Sequence, residues 1–247
     1  MSVPSPETDP AAPRFLDAGE AALVVEFGRQ VDPATSERVF ALDDALRVAS
    51  PEGLRETVPT YRSLMIHYDP LALGRAALVD HVRPLLRRAK ATPRVGSVWM
   101  LPCCYDPALG EDIAEAAVLA DVSVEDLIAL HAGADYRVYM YGFAPGFAYL
   151  GGLPERLALP RRMSPRAPHP RNAIMIGGGL AAVASVPMPT GWYVVGRTPE
   201  RLYAPERDPA FLVEGGDTLR FEAVDGATFA ELDRRAAAGE SVARKAS

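Results

Sequence analysis

Cysteine is nearly missing from this 247-residue chain, and the two that occur, Cys103 and Cys104, are adjacent. A vicinal pair rarely closes a structural disulfide, and two thiols cannot build a disulfide framework. Two reduced side chains at a strand end are therefore expected. Long apolar runs are missing too: no stretch approaches the roughly 18 residues needed to span a bilayer. The opening Met1–Arg14 is rich in Pro, Ala and acidic residues and lacks the basic and apolar regions of a signal peptide. Together these absences predict a cytoplasmic chain. Basic excess is lacking as well. A net charge of −6 and a pI near 5.3 argue against nucleic acid or an anionic membrane as partner.

Several chemical signatures are equally absent. The four histidines (His67, His81, His131 and His169) are widely spaced and form no HExxH pair, so no metal site is expected. No GxxxxGK[ST] loop, no GxGxxG opening a helix and no G-x-S-x-G elbow occurs. On its own residues the chain does not read as a self-sufficient enzyme.

What is present falls into two textures. After an expected disordered tail (1–14), Ala22–Phe27 reads as a strand closed by Gly28. Asp32-Pro33 reads as a helix start, followed by Val39, Leu42 and Leu46 on one face. Tyr61–Tyr68 is a second strand, Leu73–Ala89 a second helix that Pro84 kinks or restarts, and Val95–Cys104 a third strand. This β-α-β-α-β order suggests a small α/β sandwich over 15–93. Helices follow near Gly110–Ala120 and Val124–Ala132, the latter capped by Ser123. Beyond Asp135, strands at Tyr136–Phe143, Ala173–Ile176, Trp192–Arg197 and Thr218–Val224 alternate with Gly- and Pro-rich turns. That texture suits a β-barrel or sandwich over 94–228, with a C-terminal helix and tail over 229–247.

Three segments carry possible chemistry. In Gly142–Pro154, glycines and prolines punctuate Phe143, Phe147 and Tyr149, which reads either as an aromatic pocket mouth or as a packed turn. Glu155–Arg171 holds Arg156, Arg161, Arg162, Arg166 and Arg171 against one acid, fit for an anionic ligand or an acidic partner, or for pairing with scattered acids. Gly177-Gly178-Gly179 could cradle an anion, though weakly. His131, at a helix end, suits a capping or packing role or a cationic one.

The motifs Gly142-Phe-x-Pro-Gly-Phe-x-Tyr-Leu-x-Gly-Leu-Pro154, Pro160-Arg161-Arg162 with Pro165-Arg166, and Gly191-Trp192 leading to Gly196-Arg197-Thr198-Pro199 resemble one family strongly. It is the family of the B-type subunits of bacterial 5-oxoprolinase, which also covers allophanate hydrolase subunit 1, the carboxyltransferase C/D subdomain and the kinase inhibitor KipI. The resemblance begins upstream at Val58-Pro59-Thr60-Tyr61 and ends near Arg220-Phe221. It implies an α+β chain: a small α/β N-terminal domain, then a cyclophilin-like β-barrel. It implies a partner of related fold (the C-type subunit, or allophanate hydrolase subunit 2), a further A-type subunit, and a site shared between chains. Such a complex uses ATP to open the lactam of 5-oxoproline, a small anionic cyclic amide, to glutamate. Alternatives within the resemblance are a urea amidolyase-type carboxyltransferase module, with biotin supplied on another chain, and a non-enzymatic inhibitor of a sensor kinase. From side-chain type, the candidate pocket residues are Phe143, Pro145, Phe147, Tyr149, Arg162, Arg166, Trp192 and Arg197, with His131 as a further candidate. The sequence departs from the family pattern at His169–Ala173 and Leu180–Ser185, where small apolar groups replace Gln, Thr and Tyr.

Overall fold

A computed structural model describes residues 12–89 and 94–246 and divides the chain into two compact units, the boundary falling after Arg94. The expected tail lies largely outside the described residues, although Arg14 already opens a strand.

The first unit is an antiparallel sheet of four strands: β1 (Arg14–Asp17), β2 (Ala22–Glu26), β3 (Leu54–Pro59) and β4 (Ser63–Tyr68), in the order β1-β2-β4-β3. Helices α1 (Pro33–Ala49) and α2 (Arg75–Arg88) complete it. Strand alternation sends Leu64, Ile66 and Tyr68 of β4 inward, where they meet Leu42 and Leu46 of α1 and Leu78 and Val82 of α2. Asp32 caps α1 by accepting the Thr35 amide at 2.9 Å, and Pro33 occupies the first turn. Helix α2 runs through Pro84 without a break. Burial of Leu78, Val79 and Val82 offsets the backbone bond that proline cannot donate.

Two expectations change here. The third strand of the supposed β-α-β-α-β unit belongs to the second unit, while β1 and β3 carry no clear sequence signal. Both are edge strands, and the Arg55-Glu56-Thr57 run of β3 is too polar to register as a core strand.

The second unit contains β5 (Val98–Cys103), α3 (Ile113–Leu119), α4 (Val124–Ala132), β6 (Tyr136–Tyr141), β7 (Ala148–Gly151), β8 (Arg166–His169) and β9 (Ala173–Gly177). It continues with β10 (Leu180–Val183), β11 (Met188–Thr190), β12 (Tyr193–Arg197), β13 (Thr218–Ala223), α5 (Gly226–Ala237) and β14 (Arg244–Lys245). Eight strands form one sheet, in the order β12-β9-β10-β7-β6-β13-β5-β14, and β8 pairs with β11 separately. The C-terminal residues expected as helix and tail supply α5 and the strand that pairs with β5.

A closed barrel is not found among the described residues. The two flanks of the sheet meet only at an isolated bridge, where Cys104 and Arg197 exchange backbone bonds of 2.9 and 3.0 Å. The architecture is mixed α/β with a large sheet and few helices. Strand β9 is buried on both faces, which explains its unbroken apolar run. Ile174 and Ile176 enter the main core with Tyr193 and Val195, beside Ile113 of α3 and Leu127 of α4. Ala173 and Met175 enter a second, smaller core on the opposite face. Among the described residues no helix is long and apolar enough to cross a membrane.

Candidate functional site

The turn between β6 and β7 is built by short-range chemistry. Gly142 donates to the Phe147 carbonyl at 3.1 Å and Phe147 to the Ala144 carbonyl at 3.0 Å, while Phe143 takes a left-handed φ of 67°. Gly146 has φ 76°, and a Cβ there would lie 2.3 Å from the Tyr203 Cβ. Only glycine fits both the conformation and the space. The Pro145 carbonyl, on an exposed residue, accepts the Ser185 hydroxyl.

This turn starts an aromatic row. Ring centroids are 5.9 Å apart for Phe143–Phe147, 4.8 Å for Phe147–Tyr149 and 6.2 Å for Tyr149–Trp192. Phe147 and Trp192 are buried in the smaller core, Tyr149 is half-buried, and Phe143 is 74% exposed. The floor of this core includes Ala182 and Ala184, with Ala182 paired directly to Tyr149. The departure from the family pattern at Leu180–Ser185 therefore falls under the aromatic row. Arg161 lies over Trp192 with its guanidinium carbon 5.5 Å from the ring centroid. No carboxylate pairs with Arg161 among the described residues. A guanidinium on an indole face, with its donors uncommitted, can receive an anion.

Arg162 and Arg166 have a different setting. Asp112, just before α3, accepts Arg162 at 3.0 Å, Arg166 at 2.8 Å and the backbone N–H of Val194 at 2.9 Å. Glu115 and Glu111 complete the network with Arg162 and Arg166 respectively. Arg162 also stacks over Tyr193 at 4.7 Å. Burial opposes the charge of Arg166, yet Glu111 and Asp112 outweigh it and hold its pKa above the usual value. Trp192 and Tyr193 enter opposite cores, so neighbouring arginines land on opposite faces of the same strand.

The remaining candidates make contacts within the fold. His131 is fully buried, 2.8 Å from the Tyr105 hydroxyl and stacked on Phe221 at 4.9 Å. Burial pushes its pKa down to about 3, so it packs as a neutral ring. Arg197 donates to the Arg171 carbonyl at 3.0 Å and covers Phe229 of α5 at 5.7 Å. The cysteines are free and buried, and burial drives the Cys103 thiol far above its ordinary pKa. Gly178 and Gly179, with φ of 61° and 78°, form the two-residue turn of the β9–β10 hairpin. That hairpin turn accounts for the glycine run.

Sequence reasoning places Arg161 in the arginine-rich segment but leaves it out of the pocket set in favour of Arg162 and Arg166; the Gly191-Trp192 pair is the signal that could have raised it. Glu200, directly after Gly196-Arg197-Thr198-Pro199, is missed. Its buried carboxylate accepts Ser241 Oγ at 3.0 Å, Val242 N at 2.6 Å and Ala243 N at 2.7 Å. It also accepts Arg201 N at 2.9 Å and Arg207 at 3.2 Å. Nothing local in the sequence signals a contact across forty residues.

Comparison with known proteins places the chain in a family. The chain is 29% identical over 217 residues to the B subunit of 5-oxoprolinase from Bacillus subtilis (strain 168), covering 82% of this chain and 89% of that protein. It is 34% identical over 207 residues to the B subunit of 5-oxoprolinase from Haemophilus influenzae, covering 84% and 96%. The crystal structure of Kluyveromyces lactis urea carboxylase shares its fold, with a TM-score of 0.82 at 18% identity over all of this chain. This chain spans 25% of that protein's length. The family described as carboxyltransferase domain, subdomain C and D, matches residues 13–213, and the chain belongs to it.

Proposed function

We propose that the chain is the B-type subunit of a heteromeric, ATP-dependent cyclic-amide hydrolase of the 5-oxoprolinase type, working in the cytoplasm. Its relatives, named as B subunits of 5-oxoprolinase, support the assignment. The observation that carries it to the site is the unpaired Arg161 over Trp192, beside an aromatic row that ends in an exposed Phe143. In this reading Arg161 holds the carboxylate of 5-oxoproline, or the anion that develops as the lactam opens. The aromatic row supplies a dry wall, and a partner of the C type covers Phe143 and completes the site. In this reading ATP is used by the assembled complex.

The test is glutamate release from 5-oxoproline by the co-expressed complex. ATP-dependent turnover is expected from the assembled subunits, and Arg161→Ala is expected to lower kcat/KM by about tenfold or more with assembly intact. Turnover unchanged by Arg161→Ala removes that residue's role. A wild-type complex inert toward 5-oxoproline removes the substrate assignment. The family description favours a carboxyltransferase module as the second reading, and biotin-dependent carboxyl exchange by the complex would select it.

A further inference from the structure

A separate cleft opens in the second unit beside β5 and β14, with a volume of about 340 Å³, inside the range typical of small-molecule sites. Its apolar surface comes from Trp99, Pro209, Phe211 and Leu212. Phe211 is 40% exposed and is held between Tyr141 and Tyr203, with ring centroids 4.9 and 5.0 Å away. Tyr203 is the residue that packs on Gly146, so the cleft wall and the family's signature turn share a support.

The charged groups around this cleft divide into committed and free. Asp217 is committed: it accepts Ser97 N at 2.7 Å, the Trp99 indole N–H at 3.1 Å and Glu214 N at 2.9 Å. Arg207 is committed to Glu200 and to the carbonyls of Arg201, Leu202, Pro209 and Ala210. Lys245 and Glu214 are different. The Lys245 ammonium lies 5.0 Å from the Trp99 ring centroid, and neither it nor the exposed Glu214 carboxylate has an ion-pair partner among the described residues. The Asp217 carboxylate bonds both the indole and the Glu214 backbone, so a cation and an anion without ion-pair partners among the described residues line the same cleft as a fixed indole.

We propose that this cleft binds a free α-amino acid with an apolar or aromatic side chain. Its carboxylate pairs with Lys245, its ammonium with Glu214, and its side chain lies against Phe211 and Leu212. The complementarity is selective because each end of a zwitterion meets the opposite charge, while a simple acid or amine leaves one protein charge facing its like or nothing. The proposal does not rest on the reaction proposed at the aromatic row.

The experiment is calorimetric titration of the full chain near neutral pH with L-phenylalanine, 3-phenylpropanoate, 2-phenylethylamine and 5-oxoproline. L-Phenylalanine is expected to saturate with a Kd of roughly 0.1–1 mM, and the acid and the amine to bind about tenfold or more weaker. Lys245→Ala and Glu214→Gln, both exposed positions, are each expected to weaken L-phenylalanine about tenfold without lowering the melting temperature. Absence of saturable L-phenylalanine binding overturns the proposal. So does equal binding of the single-charge analogues, indifference to both substitutions, or tighter binding of 5-oxoproline, which has no ammonium group.

Discussion

Arg161 and Arg162 are consecutive in the chain, and the structure puts them to opposite uses. Arg162 turns toward the main core, stacks on Tyr193 and shares Asp112 with Arg166. Arg161 turns to the other face and rests on Trp192 with its charge unmatched among the described residues. The lesson is that a cluster of guanidinium groups is not one feature. Carboxylates from α3 and its approach neutralise Arg162 and Arg166, while Arg161, unmatched among the described residues, keeps its charge open to a ligand.

The sharpest way to break this contrast is to remove the acid. Asp112→Ala removes one of the two carboxylate partners of both Arg162 and Arg166 and deletes the bond to Val194, so a loss of about 3 kcal/mol is expected. Thermal unfolding should show it as a melting temperature lowered by roughly 6–12 °C. Arg166→Ala leaves Asp112 with Arg162 and the Val194 amide, and is expected to cost less, about 2 kcal/mol by the same measurement. A value for either variant indistinguishable from wild type would end the structural reading of this network.

A smaller effect should appear with acid. His131 has a folded pKa of about 3 against an unfolded value near 6.5, and burial lowers the pKa of His169 as well. Between those values the unfolded chain binds protons that the folded chain excludes. The contribution of His131 is therefore fully present above about pH 6.5 and falls as pH drops toward 3, by roughly 1 kcal/mol per pH unit. Denaturant titrations at pH 7 and pH 5.5 should show it, and His131→Phe should flatten the difference. A protein equally stable at both values contradicts the buried neutral imidazole. The smallest effect belongs to Arg161→Ala, expected to shift stability by less than about 0.5 kcal/mol while it impairs turnover of the complex.

Much of this is legible in the chain. The Asp32-Pro33 start, the Ser123 cap (bonding Asp126 N at 2.9 Å) and the strand at Tyr61–Tyr68 follow from local chemistry that needs no distant partner. The aromatic row is legible as residue types, because Phe143, Phe147 and Tyr149 alternate with residues that fix the backbone. The pairing of the arginines is not. Asp112 lies 50 residues before Arg162 and 54 before Arg166, and only the fold brings them together. The short strands β7, β8, β10 and β11 escape for a related reason: three or four residues carry too little periodicity to separate a strand from a turn.

Glu200 sets a practical limit on dissecting this protein. The family match stops at residue 213, but the carboxylate at 200 takes three of its five hydrogen bonds from residues 241–243. An expression fragment cut at the family boundary would leave that acid inside the fold with those donors removed. The autonomous unit is therefore longer than the similarity that identifies it, and a stable fragment has to run past Ala243.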